Sequence, residues 1–160
     1  MDNIYRTCRK RAAINNNSLA SMEKAAEQLG ISVSSLNQYE LGITKTVPVD
    51  MVVLMSDVYN APELRNHYCK MECPIGKRLP LATDVDDLKG ITLRLLDRLK
   101  SDDIEMLKSR MVRIAKDGVV DDAEMRDFRE IVEVLQVLAT EIDELRVLAE
   151  QITRGGADGH

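Results

Sequence analysis

Apolar positions recur at spacings of three and four along almost the whole chain, a period that predicts helices from end to end. A first helix spans about residues 3–14 and is broken by the polar run Asn15-Asn16-Asn17-Ser18. Two short helical runs follow, one on each side of Gly30. A fourth helix covers roughly 50–59, with Met51, Val52, Leu54, Met55 and Val58 as its apolar positions. A fifth opens at Pro62, a favoured first-turn residue, and ends near Met71. The stretch MECPIGKRLPLATD, with Pro74, Gly76 and Pro80, then interrupts the period and marks a boundary. Beyond it Leu88, Ile91, Leu95 and Leu99 form one stripe, and Ile104, Leu107, Met111 and Ile114 another. The last predicted helix is long, about 122–153, and its apolar residues alternate three and four apart. They are Phe128, Ile131, Leu135, Leu138, Ile142, Leu145, Ala149 and Ile152, a heptad seam widened by Val134 and Leu148.

The segment MEKAAEQLGISVSSLNQYEL, residues 22–41, is the most specific in the chain. Two helices crossing steeply over a tight turn need a small residue where their backbones approach, and Ala26 supplies it. The reversal needs a positive φ, which Gly30 adopts freely. Ala25, Leu29, Leu36 and Tyr39 turn inward, Ile31 plugs the angle between the helices, and Ser21 and Ser32 stand at the N-caps. Together these positions read as a helix-turn-helix.

Composition supports a helical chain. Aromatic residues make up 3% of the 160 and Trp is absent, so the core is built from Leu, Ile, Val, Met and Ala. No apolar run approaches the ~20 residues of a membrane span, and the N-terminus lacks a secretory apolar stretch. Three cysteines give no even disulfide framework, so a reducing cytoplasm is the expected compartment. The net charge of −5 is uneven: residues 1–78 hold 10 Lys/Arg against 8 Asp/Glu, and residues 79–160 hold 12 against 19. Arg6, Arg9, Lys10 and Arg11 cluster in the first helix, read either as a solvated face or as a phosphate-contacting patch.

The runs AAEQLGIS, SLNQYELG, Val47-Pro48 and LMSDVYNAPEL resemble the Cro/C1-type helix-turn-helix domain, the XRE family of phage repressors and bacterial regulators. The Tyr39-Glu40-x-Gly42 stretch is especially typical. The resemblance covers about the first 40% of the chain, from about residue 6 to 64. It implies a five-helix, lambda-repressor-like domain whose recognition helix enters the major groove of double-stranded DNA. Carried over residue by residue, it sets Val33, Ser34 and Asn37 against bases and Ser32, Ser35, Thr44 and Lys45 against phosphates. Asn can read adenine through two hydrogen bonds, Ser bonds either base class, and Val packs on a thymine methyl. Residues 33–41 carry no Lys or Arg, so Arg6, Arg9, Arg11 and Lys45 are left to supply phosphate attraction.

Two groupings look like other chemistry. Cys8, His67, Cys69 and Cys73 could make a tetrahedral zinc set. The C-x3-C spacing is loose, however, and two thiols on one helix face fit equally well as small core residues, so no metal is expected. Residues 117–124 imitate half of a calcium loop, but Arg113 and Ala115 fall where its first ligands belong. No nucleophile triad or phosphate loop is present, and neither enzyme activity nor a cofactor is expected.

The expectation is an all-α regulator of bacterial or phage origin, more a repressor than an activator. Residues 1–72 form the DNA-binding domain, 73–83 a linker, 84–154 a helical oligomerisation or partner domain, and 155–160 a flexible tail. The seam packs on its own chain, while Val134, Val137, Glu141 and Leu148 contact a second copy in a homodimer. The alternative is an antitoxin-like or adaptor protein, which uses the helix-turn-helix and the acidic C-terminal helices for protein contacts.

Overall fold

A computed structural model describes residues 3–116 and 118–157. Among the described residues eight α-helices follow one another: α1 Ile4–Ala12, α2 Met22–Gln28, α3 Val33–Glu40, α4 Val49–Val58, α5 Glu63–Met71, α6 Leu88–Arg98, α7 Ser101–Ile114 and α8 Met125–Ala157. Short 3-10 turns lie at Asn17–Ala20 and Gly76–Arg78, and the described residues contain no strand. The chain is all-α, as its periodicity predicts. It divides into two compact units, Met1–Leu79 with Ala149–His160, and Pro80–Leu148.

The first unit is built from capped helices around one core. Asn3 accepts from Tyr5 N at 2.9 Å, Ser21 from Lys24 N at 3.3 Å and Ser32 from Ser35 N at 3.0 Å, so the first turns of α1, α2 and α3 each have a side-chain acceptor. Such a cap contributes about 1 kcal/mol. Gly30, at φ 64°, ends α2: its N–H bonds Glu27 O, and Ile31 N–H reaches back to Ala26 O. Leu19, Ala25, Leu29, Leu36, Val52, Met55 and Leu64 are buried together, with Ile31 and Tyr39 packed against them.

Through this core runs a charge pair. Arg9 is 5% exposed; its Nε and Nη2 donate to the two carboxylate oxygens of Glu40 at 2.5 and 2.9 Å, and Nη1 donates to Leu19 O at 2.7 Å. The pair ties α1 to the end of α3 and to the 3-10 turn. Arg9 was expected at a phosphate; its burial and its three bonds remove it from that role. Tyr5, Cys8 and Arg9 form the inner face of α1, with Ala12 half-buried beside them.

Residues 149–157 of α8 close the first unit. Gln151 O accepts from Asn60 Nδ2 at 3.1 Å, and Gln151 Nε2 donates to Glu63 at 2.7 Å. Arg65 bonds Glu150, and Arg154 bonds both Asp57 and Glu150. Asn60 itself holds φ 48°, the left-handed position after α4 that Asn tolerates better than most residues. The two units divide at residue 79, and residues 149–154, expected in the helical domain, group with the N-terminal unit. Of the expected tail, Gly155, Gly156 and Ala157 continue α8, and residues 158–160 lie outside the described residues.

The second unit is held differently. Its buried apolar side chains, among the described residues, are Ala82, Ile91, Ile114, Ile131 and Val147. Around them run arginine–carboxylate bridges: Arg94 to Glu144 at 2.7 Å, Arg98 to Glu141 at 3.4 Å, Arg110 to Glu130 at 2.8 Å and Arg113 to Asp127. Glu144 also accepts from Asp86 N, and Asp143 from Ala82 N. Glu141, expected to contact a second copy, is 8% exposed and faces Arg98 instead. The heptad seam is only partly inside: Ile131 is buried and Leu138 and Leu145 half-buried, while Phe128, Leu135 and Ile142 are exposed. The imitation calcium loop is a helix start, with Asp121 accepting from Glu124 N at 2.8 Å; Asp117 lies outside the described residues.

Two measurements check this architecture. Arg9→Met leaves a buried carboxylate without its partner and should lower stability by about 3–5 kcal/mol in urea unfolding followed by circular dichroism. Arg9→Met combined with Glu40→Leu should recover much of that loss, and equal losses from the single and double changes would contradict the buried pair. The second concerns thiols. Cys8 is fully buried, and burial, then Glu63, push its thiol up to about 12. Because the thiolate is the reactive form, a disulfide reagent at neutral pH should label Cys69 and Cys73 in the native protein. Cys8 should react only after unfolding.

Candidate nucleic-acid interface

The helix-turn-helix consists of α2, the turn at Gly30 and α3, whose inner residue Leu36 is fixed in the core. That anchoring determines which residues of α3 remain outside. Ser32, Val33, Ser34 and Asn37 are exposed, Ser35 is half-buried, and Gln38 is exposed one position further on. The N-terminal half of α3 therefore presents small hydroxyls, one valine and two carboxamides to solvent. Ser32 Oγ lies 2.8 Å from Ser35 Oγ and caps the helix, so these hydroxyls and the amides of the first turn share the end where the helix dipole is positive. That combination of donors and partial charge suits an anion.

After α3 the chain leaves through Gly42, and Ile43 N–H bonds back to Gln38 O at 3.0 Å. Thr44 is half-buried and Lys45 exposed, and the loop is pinned by buried Val47. On α1, Arg6 is half-buried and Lys10 exposed, and the two sit one turn apart on one side of the helix. Arg11 is exposed along its side chain, yet its guanidinium bonds the buried carboxylate of Glu63. The expected basic cluster is thus divided. Arg9 is structural and Arg11 is neutralised by Glu63, while Arg6 is half-buried and Lys45 exposed. Gln38 was not singled out by sequence reasoning, and Lys10 was named there only as a member of the cluster. Lys10 follows from the inward period Tyr5-Cys8-Arg9-Ala12, which leaves positions 6 and 10 outside.

The zinc grouping does not assemble. Cys8 lies in the core and donates to Glu63 Oε1 at 3.6 Å, while His67, Cys69 and Cys73 are half-buried on and after α5. Among the described residues no three His, Cys, Asp or Glu side chains gather as a metal site. No described helix is long and apolar enough to cross a membrane.

Comparison with known proteins agrees with this geometry. Residues 20–64 match a family model described as helix-turn-helix, from the end of the 3-10 turn through α2, α3 and α4 into α5. No curated protein and no solved structure matches the chain. The matched span contains the residues that carry the Cro/C1 pattern, from AAEQLGIS to LMSDVYNAPEL. Residues 20–64, within the first unit, are thus similar to a helix-turn-helix family.

Proposed function

We propose that this protein is a sequence-specific DNA-binding regulator that occupies an operator as a homodimer and represses transcription in a bacterial or phage-infected cytoplasm. The observation that carries the reading is the matched helix-turn-helix, with the polar N-terminal half of α3 exposed. In the major groove, Val33, Ser34 and Asn37 meet base edges, and Asn37 is the residue best able to discriminate, through two bonds to adenine. Ser32, Ser35 and Thr44 supply hydroxyls, and Lys45 and Arg6 supply charge, toward the phosphates on either side. One such helix has little contact area. Two copies on half-sites about 34–36 Å apart supply the remainder, joined through the C-terminal half of the chain.

One observation favours a second reading, an adaptor or antitoxin-like protein whose α3 binds protein: no Lys or Arg lies between residues 33 and 41. Duplex selection separates the two. From a random library at low salt, the full chain should enrich one sequence family, with affinity falling steeply as salt rises. Asn37→Ala should then cost about 1–3 kcal/mol and relax one base position, whereas Lys45→Ala should weaken all duplexes alike and flatten the salt slope by about one unit. Recovery of no enriched sequence would remove the DNA reading.

A further inference from the structure

The second unit leaves half of its large apolar side chains exposed. Five apolar residues are buried, Ala82, Ile91, Ile114, Ile131 and Val147, whereas fourteen large apolar side chains are exposed among its described residues. A unit of this size with so small an interior lacks the burial that independent folding requires. Monomers also seldom expose that much apolar surface. The exposed residues are not scattered. Phe128, Leu135 and Ile142 recur every seven residues along α8 and are 41%, 38% and 54% exposed. At 1.5 Å per residue the stripe is about 21 Å long. Beside it a recess of about 330 Å³ opens between α7 and α8, where Met111 and Ile114 face Phe128, Ile131 and Leu135. Its described lining residues are all uncharged.

We infer that a second copy of this chain packs on this face, antiparallel to the first about a two-fold axis, and that Met111, Phe128, Leu135 and Ile142 are the centre of the contact. The stripe is symmetric about Leu135, so reversing one copy sets Phe128 against the partner's Ile142 while the two Leu135 side chains meet. The charges of α7 follow the same symmetry. Asp102, Asp103 and Glu105 occupy its first half, and Lys108 lies in its second, where Arg110 and Arg113 are already held by Glu130 and Asp127 of the same chain. An antiparallel copy therefore brings opposite signs together, where a parallel one would align like charges. Lys108 lies one turn before Met111 and Glu105 one turn before Lys108; both are exposed, and within one chain they form only a 3.4 Å surface pair. A two-fold contact of this kind is self-complementary, so both recesses are covered in one association step. Val137, one of the expected dimer contacts, lies about 200° round α8 from Leu135 and falls outside this surface.

The inference deepens the homodimer of the regulator reading, but its test needs no DNA. Sedimentation equilibrium of the full chain should give twice the mass of one chain. Leu135→Glu with Met111→Glu should reduce it to one chain with helical circular dichroism retained, and Val137→Glu should leave the doubled mass unchanged. Charge reversal tests the same face without disturbing its apolar centre, and decides alone if the double variant unfolds. Glu105→Lys or Lys108→Glu singly should weaken association about fivefold, and the two together should restore it. A single-chain mass for the unaltered protein would overturn the inference. So would a doubled mass in the folded Leu135→Glu/Met111→Glu variant, dissociation by Val137→Glu, or a reversal pair without rescue. A doubled mass with no selected duplex keeps this surface and removes the DNA reading; a selected duplex bound by a single chain does the opposite.

Discussion

The guanidinium of Arg9, enclosed in the first unit with Glu40 on one side and Leu19 O on another, sets the relation between α1 and α3. A buried pair of this geometry is no bargain in net stability, since desolvating both charges offsets most of their attraction. Its effect is directional. A leucine in place of Arg9 would tolerate several orientations of α1 on the core, whereas two parallel N–H···O bonds tolerate one. Because Glu40 is the last residue of α3, the fork holds the C-terminal end of that helix while Leu36 holds its middle. The exposed half, from Ser32 to Asn37, is thereby presented in a fixed pose. The typical Tyr39-Glu40-x-Gly42 sequence gains a physical reason. Tyr39 O accepts from Asn3 Nδ2 at 3.0 Å, Glu40 binds Arg9, and Gly42 lets the chain turn away.

Much of the first unit was legible because its signals are local. Ser21, Gly30 and Ser32 act within a few residues of where they stand, and caps and positive-φ turns leave the same trace in a sequence as in a structure. The division of the basic cluster was harder to read. Four cations in six residues look like a patch, and only the inward period Tyr5-Cys8-Arg9-Ala12 tells that the second of them points inside. The partners that settle the matter, Glu40 and Glu63, lie 31 and 52 residues away, beyond any pattern of spacing. The same holds for residues 149–157, whose place against Asn60 and Glu63 depends on contacts across some 90 residues. Of the exposed residues of α3, Val33, Ser34 and Asn37 could be named in advance, and Gln38 was missed; their neighbours in space could not be named.

In the second unit the heptad period predicted a buried seam along α8. The structure keeps Ile131, Leu138 and Leu145 inward and leaves Phe128, Leu135 and Ile142 outside. A seam has two rows, and periodicity alone does not say whether one neighbour covers both. The inner row and the surrounding arginine–carboxylate bridges hold α6, α7 and α8 together. Such bridges are largely exposed, and individually they contribute little at ordinary salt. Glu144 is better placed than most, being buried and bonded to both Arg94 and Asp86 N. The two units therefore rest on different physics, one on a packed core and the other on a thin apolar layer bordered by charge.

The bond from Asn60 Nδ2 to Gln151 O spans 91 residues of chain, and this has a consequence for the order in which the protein is made. As the polypeptide leaves the ribosome, α1 to α5 emerge with their own core complete. The surface formed by Asp57, Asn60, Glu63 and Arg65 then waits until residues 150–154 have been synthesised before Glu150, Gln151 and Arg154 arrive to cover it. Closing so long a loop adds entropy cost only logarithmically in its length, but it is slow relative to local helix formation. The N-terminal unit is thus assembled in two stages, an early one encoded in adjacent residues and a late one that depends on synthesis having reached the far end of α8.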